Sequence, residues 1–122
     1  YQTAILAELA GEVYTVEIVE GLSIIAKRLL DDLGYNNVKF KIGDGYSGWE
    51  EHAPYDVIIV TCGPSNVPEP LVDQLTEGGK LVIPIGVGYQ TLTILDKIDG
   101  ELKKTESIDC RFVPMTRKFS RF

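Results

Sequence analysis

The sequence YDVIIVT at residues 55–61 decides the fold class, because it is nearly continuous in β-branched apolar residues. This pattern is typical of a strand that is buried on both faces of a parallel sheet. A second apolar run, KLVIPI at residues 80–85, follows a proline-rich loop and a short helix predicted at residues 68–75. A glycine pair at residues 78–79 predicts the turn into this second strand. The two runs indicate an α/β fold.

Upstream of these strands, helices and strands are predicted to alternate. Apolar residues recur at helical spacing over residues 1–10 and 21–33, whereas residues 13–18 and 38–42 have the composition and alternation of strands. The second helix carries its apolar residues on one face, namely Leu22, Ile25, Ala26, Leu29, Leu30 and Leu33. The spacing therefore predicts the order helix, strand, helix, strand before the strand at residues 55–61.

Downstream, residues 90–98 and 103–113 alternate like two antiparallel strands. The dipeptide Asp99-Gly100 between them is typical of a two-residue hairpin turn. The whole order predicts an α/β fold with a doubly wound, mostly parallel sheet and an antiparallel C-terminal hairpin. Without an internal repeat or a linker, residues 1–122 are predicted to form one domain.

Composition and charge limit the classes of function. The chain has 122 residues, of which 44% are hydrophobic and 25% charged, and a net charge of −6. An acidic body argues against nonspecific binding to nucleic acid, and no apolar run reaches the roughly 18 residues that would cross a membrane. Cys62 and Cys110 fit neither a disulfide framework nor a zinc site. These features predict a cytoplasmic protein with reduced thiols and no nucleic-acid or membrane partner.

The C-terminal sequence RKFSRF at residues 117–122 differs from the acidic body, because it is basic and aromatic. Two interpretations remain open for it. It binds an acidic surface, or it docks on the acidic body of the same chain.

Residues 43–48, with the sequence GDGYSG, formally match the dinucleotide-binding pattern G-x-G-x-x-G. That fingerprint requires a helix that begins at the third glycine and receives phosphate groups. Here two glutamates and Pro54 follow, and Asp44 would repel a phosphate. We therefore reject the dinucleotide interpretation and expect Asp44 to accept a hydrogen bond from a neutral or cationic group, the alternative being a glycine-rich turn with an Asx cap.

Glu17 lies near the carboxyl end of the predicted strand at residues 13–18. A carboxylate at this position in an α/β fold can accept hydrogen bonds from both ribose hydroxyls, although a solvated charge at a strand end is an equally simple interpretation. Consecutive parallel strands end at one edge of a sheet, so Glu17 and Asp44 should face one crevice. Two acidic residues and a glycine-rich turn suit an adenosine group without phosphates.

Other candidate catalytic groups are isolated. His52 is the only histidine, so neither a metal site nor a Ser-His-Asp relay can be assembled. Cys62 follows a buried strand at the rim of the same crevice, but no base is identifiable beside it. It is a candidate nucleophile, or more simply a small packing residue.

Six segments, in this order along the chain, carry a family resemblance: VYTVE at 13–17, GDG at 43–45, APYD at 53–56, VPEPL at 67–71, GGKLVIP at 78–84 and RFVPMT at 111–116. They closely resemble the protein-L-isoaspartate (D-aspartate) O-methyltransferases. The resemblance covers essentially the whole chain and implies a Rossmann-like methyltransferase sheet.

The resemblance also implies an activity and a cofactor. Members transfer the methyl group of S-adenosylmethionine to the α-carboxylate of L-isoaspartyl residues in damaged peptides and proteins, which begins their repair and leaves S-adenosylhomocysteine. Glu17 would bind the ribose hydroxyls, and Ile18 would flank the adenine. Asp44 and Gly45 would hold the adenine edge, and Thr116 would lie near the cofactor.

The substrate peptide would be received by two walls. The resemblance assigns to them Thr61, Cys62, Gly63 and Pro64 after one strand, and Ile83, Pro84, Ile85 and Gly86 at the end of another. Family members often carry alanines where this chain has Cys62 and Gly63.

By the same resemblance, the sequence YQTA at residues 1–4 corresponds to positions directly after a glycine-rich first motif. The family's first strand, that motif and a Ser/Thr segment linked to catalysis would then precede this chain, and the sheet would be incomplete at its N-terminus. We expect the C-terminal part of such an enzyme, inactive alone and requiring its N-terminal segment as a partner. Two alternatives stay open: a non-catalytic remnant or partner-binding module on the same sheet, and a nicotinamide-dependent Rossmann enzyme.

Overall fold

The computed structural model describes residues 1–117 and confirms the predicted order of helices and strands. Along the chain lie α1 (Gln2–Leu9), β1 (Val13–Glu17), α2 (Glu20–Asp32), β2 (Val38–Ile42), a 3-10 turn (Glu50–His52), β3 (Tyr55–Ile59), α3 (Glu69–Asp73), β4 (Leu75–Ile85), β5 (Gln90–Ile98) and β6 (Glu101–Cys110). No helix among these residues has both the length and the apolar character needed to span a membrane. Most of the basic sequence at residues 117–122 lies outside the described residues.

The chain divides into two compact units, residues 1–45 with Arg117, and residues 46–116. In the first unit, β1 and β2 form a parallel pair whose register runs from Val13 opposite Val38 to Glu17 opposite Ile42. The side chain of Asn37 donates hydrogen bonds to the carbonyl oxygens of Ala7 (2.9 Å) and Ala10 (3.1 Å) at the end of α1. These bonds satisfy carbonyls that a helix end leaves without partners.

The predicted apolar face of α2 is only partly buried. Leu30 packs inward, whereas Leu22, Ile25, Leu29 and Leu33 are each more than half exposed. In the first unit α2 packs against a sheet of only two strands, which covers a narrow stripe of a helix.

In the second unit, four strands form a sheet of order β3-β4-β5-β6. The pair β3–β4 is parallel, and β4–β5 and β5–β6 are antiparallel. This confirms the predicted α/β class with parallel strands and an antiparallel C-terminal hairpin. The core of the unit consists of Val60, Leu71, Leu75, Leu81, Ile83 and Leu95.

Two details of the predicted strands were wrong. Val57 on β3 is 52% exposed instead of buried on both faces, because β3 pairs with β4 alone among the described strands. Strand β4 begins at Leu75, not at Lys80 after a turn. The glycines at 78 and 79 lie inside it, where the register against β3 shifts between Tyr55 and Val57. They lie in an irregular stretch within one strand instead of separating two elements.

The C-terminal hairpin turn was predicted correctly. Asp99 (φ 53°) and Gly100 (φ 78°) both have positive φ, as a type I′ turn requires. The carboxylate of Glu77 accepts hydrogen bonds from the backbone N–H groups of both residues. Strand β6 ends at Cys110, three residues before its predicted end, because the N–H of Phe112 turns to the side chain of Gln90.

Lys97 caps the C-terminal end of α3, and its removal is predicted to lower stability. Its Nζ donates to the carbonyl oxygens of Val72 and Leu75, both at 2.9 Å. Lys97→Met keeps the apolar stem and removes the charged donor, so the free energy of unfolding should fall by about 1–2 kcal/mol in urea denaturation. The matched control Lys104→Met, on exposed β6, should change it by less than about 0.5 kcal/mol. Equal losses in both variants would contradict the capping role.

Candidate functional site

One candidate site, within the first unit, is the edge of the β1–β2 pair at which both strands end. Glu17 lies opposite Ile42 in the register, and the N–H of Gly43 donates to the carbonyl oxygen of Glu17 at 3.0 Å. Asp44 is the second residue after β2. The structure therefore places Glu17 and Asp44 at the same edge, as the predicted strand order required.

The carboxylate of Glu17 is partly buried and held by the backbone. Its Oε1 accepts the N–H of Val19 at 3.0 Å, and Val19 is the residue that precedes α2. The positive end of a helix dipole stabilises a carboxylate there. A carboxylate offers roughly four acceptor positions, so this bond leaves capacity for a ligand. Glu17 is thus an oriented group and not simply a solvated charge at a strand end.

The neighbouring candidates in the first unit are Ile18 and Gly45. Both are partly buried, and each directly follows one of the two acidic residues. Residues 17, 18, 44 and 45 therefore come from the ends of two adjacent parallel strands.

In the second unit, the third glycine of the GDGYSG sequence has a structural role. Gly48 is buried with φ +63°, and a Cβ there would lie 2.3 Å from Oε1 of Gln74. That Oε1 accepts the N–H of Trp49 at 2.9 Å, and Nε2 of Gln74 donates to the carbonyl of Ser47 at 2.8 Å. The next element is a three-residue 3-10 turn and not an α-helix. The geometry agrees with the rejection of a phosphate-binding loop.

Tyr55 also anchors this turn. Its hydroxyl donates to the carbonyl oxygen of Trp49, and its N–H donates to the carbonyl of Gln74 at 2.8 Å. Burial, and to a smaller extent the charge of Glu51, raise the pKa of the Tyr55 phenol. The phenol therefore stays protonated and keeps its role as a donor. The ring of His52 packs edge-on against Trp49, with 4.9 Å between centroids.

A second candidate site, within the second unit, is the end of β3 and β4, where the two predicted substrate walls meet. The N–H of Gly86 donates to the carbonyl oxygen of Pro64 at 3.0 Å, which joins the walls directly. The N–H of Gly63 donates to Val113 at 2.7 Å, and the N–H of Met115 donates back to Gly63 at 3.2 Å. Both walls and the segment before Thr116 therefore form one connected surface within the second unit.

Burial divides the wall residues into two groups. Pro64, Ile83 and Pro84 are almost completely buried, and Ile83 belongs to the hydrophobic core. Gly63 is buried as well. The residues that retain accessible surface are Thr61, Cys62, Ile85 and Gly86, and Thr116 is exposed. The buried residues can therefore support a ligand site only by packing behind the accessible residues.

Gln90 is a polar residue of this surface that the sequence did not reveal. Its side chain is 4% exposed, and its Oε1 accepts the N–H of Phe112 at 2.7 Å. A Cβ at Gly63 would lie 2.7 Å from Nε2 of Gln90. The Gln90 amide thus occupies the space that an alanine at position 63 would need. The one sequence signal of the contact between Gln90 and Gly63 was that position 63 is glycine where family members often have alanine.

Neither cysteine forms a disulfide in the part of the chain that the structure describes, and both are partly buried. Cys110 donates a weak hydrogen bond from Sγ to the carbonyl oxygen of Gln90 at 3.5 Å. Cys62 packs against the core of the second unit. Within residues 1–117, no three His, Cys, Asp or Glu side chains are grouped so that they could hold a metal ion.

The fold and these strand ends define a Rossmann-like α/β protein with acidic residues at one strand edge, and a 3-10 turn instead of an α-helix follows the glycine-rich sequence. The family model described as Protein-L-isoaspartate(D-aspartate) O-methyltransferase (PCMT) matches residues 1–120. The chain belongs to this family, as its motifs indicated.

Curated relatives agree with the family match. A protein-L-isoaspartate O-methyltransferase of Gloeobacter violaceus is 47% identical over 120 residues, which cover 97% of this chain and 58% of the relative. One from Picosynechococcus sp. is 52% identical over 115 residues, which cover 94% of this chain and 52% of the relative. The chain spans about half the length of these relatives.

Solved structures show the same fold. A protein-L-isoaspartate O-methyltransferase superposes with a TM-score of 0.80 at 39% identity, over 86% of this chain and 34% of that one. A Plasmodium falciparum protein described as a beta-aspartate methyltransferase (PCMT), in complex with S-adenosyl-L-homocysteine, superposes with a TM-score of 0.76 at 30% identity. That match covers 88% of this chain and 53% of the Plasmodium chain.

Proposed function

We propose that the protein containing this chain is a protein-L-isoaspartate O-methyltransferase. It transfers a methyl group from S-adenosylmethionine to the α-carboxylate of L-isoaspartyl residues in damaged peptides and proteins, and so begins their repair. The observation that carries the proposal is the family match over residues 1–120. The paired strand ends with Glu17 and Asp44 support it.

The residues at the β1–β2 edge fit the cofactor. Glu17, oriented by the N–H of Val19, has acceptor positions for the two ribose hydroxyls. Asp44 and Gly45 would hold the adenine edge, and Ile18 would flank its ring. S-adenosylmethionine carries no phosphate, so two carboxylates at this edge do not repel it, whereas they would oppose the pyrophosphate of a nicotinamide dinucleotide. Thr116, exposed in the second unit, is the remaining residue that the family resemblance assigns to the cofactor.

The end of β3 and β4 is proposed to receive the substrate peptide. Thr61, Cys62, Ile85 and Gly86 have accessible surface there. Gly63, Pro64, Ile83 and Pro84 lie beneath and keep these positions rigid. Rigid placement matters because the reaction depends mainly on alignment of the reacting groups and exclusion of water.

S-adenosylmethionine, when bound, supplies a methyl group on a sulfonium, which a carboxylate can attack without a general base. The role left to this chain is to bind the cofactor and the peptide, to orient the reacting groups and to exclude water from them. No residue of this chain is assigned a catalytic role, and in the family resemblance a Ser/Thr segment before residue 1 has that role. Since the relatives are about twice as long, we propose that activity requires such a segment, in the same chain or as a partner.

We further propose that the protein works in the cytoplasm on peptides and proteins, without a nucleic-acid or membrane partner. Two cysteines without a disulfide among the described residues support a reducing compartment. The net charge of −6 opposes nonspecific association with nucleic acid.

Asp44→Ala tests the cofactor site. Loss of a charged acceptor should weaken S-adenosylhomocysteine binding by about 1–3 kcal/mol in calorimetric titration of the natural protein. Asp109→Ala removes the same charge from exposed β6 and should leave the dissociation constant unchanged. An unchanged constant for Asp44→Ala would contradict the adenine role. If NAD bound and S-adenosylhomocysteine did not, the nicotinamide alternative would hold instead.

The activity itself is tested with a matched pair of peptides. One peptide contains L-isoaspartate, and the other contains ordinary L-aspartate in the same sequence. The natural protein should transfer labelled methyl only to the first, and residues 1–122 alone should transfer none. Equal labelling of both peptides would refute the proposed specificity.

A further inference from the structure

The turn between β4 and β5 displays two large apolar side chains to solvent. Val87 is 86% exposed and Tyr89 is 83% exposed. Apart from Tyr1, these are the most exposed large apolar side chains within residues 1–117. Exposed apolar surface costs free energy that burial against a partner would recover. We call residues 86–89 the β4–β5 turn.

Backbone hydrogen bonds hold this turn in place. Ile85 pairs with Thr91 immediately before it, and the N–H of Tyr89 donates to the carbonyl of Val87 at 3.0 Å. Gly86 (φ +142°) allows a close approach, since a Cβ there would lie 2.3 Å from the carbonyl oxygen of Tyr89. Val87 and Tyr89 are therefore presented by a defined backbone, and not by a loosely attached loop.

The turn is tied directly to the first substrate wall. The N–H of Gly86 donates to the carbonyl of Pro64, the last residue of that wall. On the other side, the carbonyl of Val113 accepts the N–H of Gly63, and the Val113 side chain is 70% exposed. Exposed apolar side chains thus belong to both segments that are bonded to residues 61–64. We call Val87 and Tyr89 the apolar rim.

The wall itself has few side chains to offer. Pro64, Ile83 and Pro84 are almost completely buried, and Gly63 and Gly86 have no side chain. Thr61, Cys62 and Ile85 are the wall residues whose side chains keep accessible surface, and Val87 and Tyr89 beyond the wall offer much more exposed apolar surface to a neighbouring side chain.

We propose that the apolar rim is a subsite for an apolar side chain adjacent to the isoaspartyl residue. The inference rests on the proposed function, because it concerns the peptide that the same walls receive. The occupant is an extended peptide with leucine or phenylalanine directly before or after the isoaspartate. Burial of that side chain against Val87 and Tyr89 would lower the KM of such peptides relative to peptides with a polar neighbour.

The test compares L-isoaspartyl hexapeptides that differ only in the neighbouring residue, phenylalanine or serine, placed before or after the isoaspartate. The wild-type protein should favour phenylalanine in kcat/KM at one of these positions. In Val87→Ser/Tyr89→Ser the ratio of kcat/KM for the phenylalanine and serine peptides should fall roughly tenfold, through KM. Leu9→Ser, an equally exposed apolar residue on α1, is the control and should keep the wild-type ratio.

The conservative variant Val87→Ile/Tyr89→Phe should retain the wild-type preference, which separates loss of apolar surface from loss of structure. The proposal is overturned if the wild-type protein shows no preference at either position, or if the serine variant keeps the ratio. A protein that methylates neither peptide would instead refute the proposed function, and the rim subsite with it. Methylation of the serine peptide supports the proposed methyltransferase function, whatever the ratio of kcat/KM for the phenylalanine and serine peptides.

Discussion

Ile83→Ala should lower the free energy of unfolding by about 2–5 kcal/mol. The side chain is 0% exposed and lies in the core with Leu71, Leu81 and Leu95, so its truncation removes buried apolar surface and leaves a cavity. Ile83→Val should cost only about 0.5–1.5 kcal/mol. Both losses can be measured by urea denaturation of the natural protein.

The control for Ile83 is Ile108→Ala on β6, where the side chain is 57% exposed. Its loss should stay below about 1 kcal/mol. Because Ile83 is buried, Ile83→Val should leave the KM for an isoaspartyl peptide unchanged. A stable Ile83→Val variant with a raised KM would show that the side chain contacts substrate directly, and would contradict the supporting role.

Gly86→Ala should destabilise the protein by about 3 kcal/mol. Two causes add at this position. The φ of +142° favours glycine, and a Cβ would lie 2.3 Å from the backbone oxygen of Tyr89, which cannot move aside as a flexible side chain could. The bond from the Gly86 N–H to Pro64 should weaken too, so a raised KM for the peptide substrate is expected alongside the lower stability.

Gly88→Ala is the matched control two residues further along the same turn. Gly88 also has a positive φ, +77°, but nothing lies within 4 Å of its Cβ position. Strain alone should cost about 1 kcal/mol. If both alanine variants lost the same stability in urea denaturation, the close contact at Gly86 would not contribute.

Local patterns in the sequence predicted much of the fold. The order of helices and strands follows from the periodicity of apolar residues, and the Asp99-Gly100 turn follows from the two positive φ angles that this dipeptide tolerates. The start of β4 could not be obtained in this way. Gly78 and Gly79 have the composition of a turn, and only the pairing of β4 with β3 on both sides of them places them inside a strand.

The candidate site was also predicted only in part. The common edge of Glu17 and Asp44 was predictable, because adjacent parallel strands place their carboxyl ends together. The contacts that Gln74 and Gln90 make were not predicted. Each is a polar residue that the sequence alone would place at the surface, and each is buried by contacts with segments more than 20 residues away.

The sequence by itself determined the α/β class, the family and the acidic residues at two strand ends, since these depend on residue type and spacing along the chain. Tertiary structure decided which apolar side chains at this end of the sheet are reachable: Ile83 and Pro84 are almost completely buried, whereas Val87 and Tyr89 are exposed to solvent. All four are apolar, and a linear pattern assigns them alike. Burial depends on what packs against each side chain in three dimensions, and the folded chain alone contains that information.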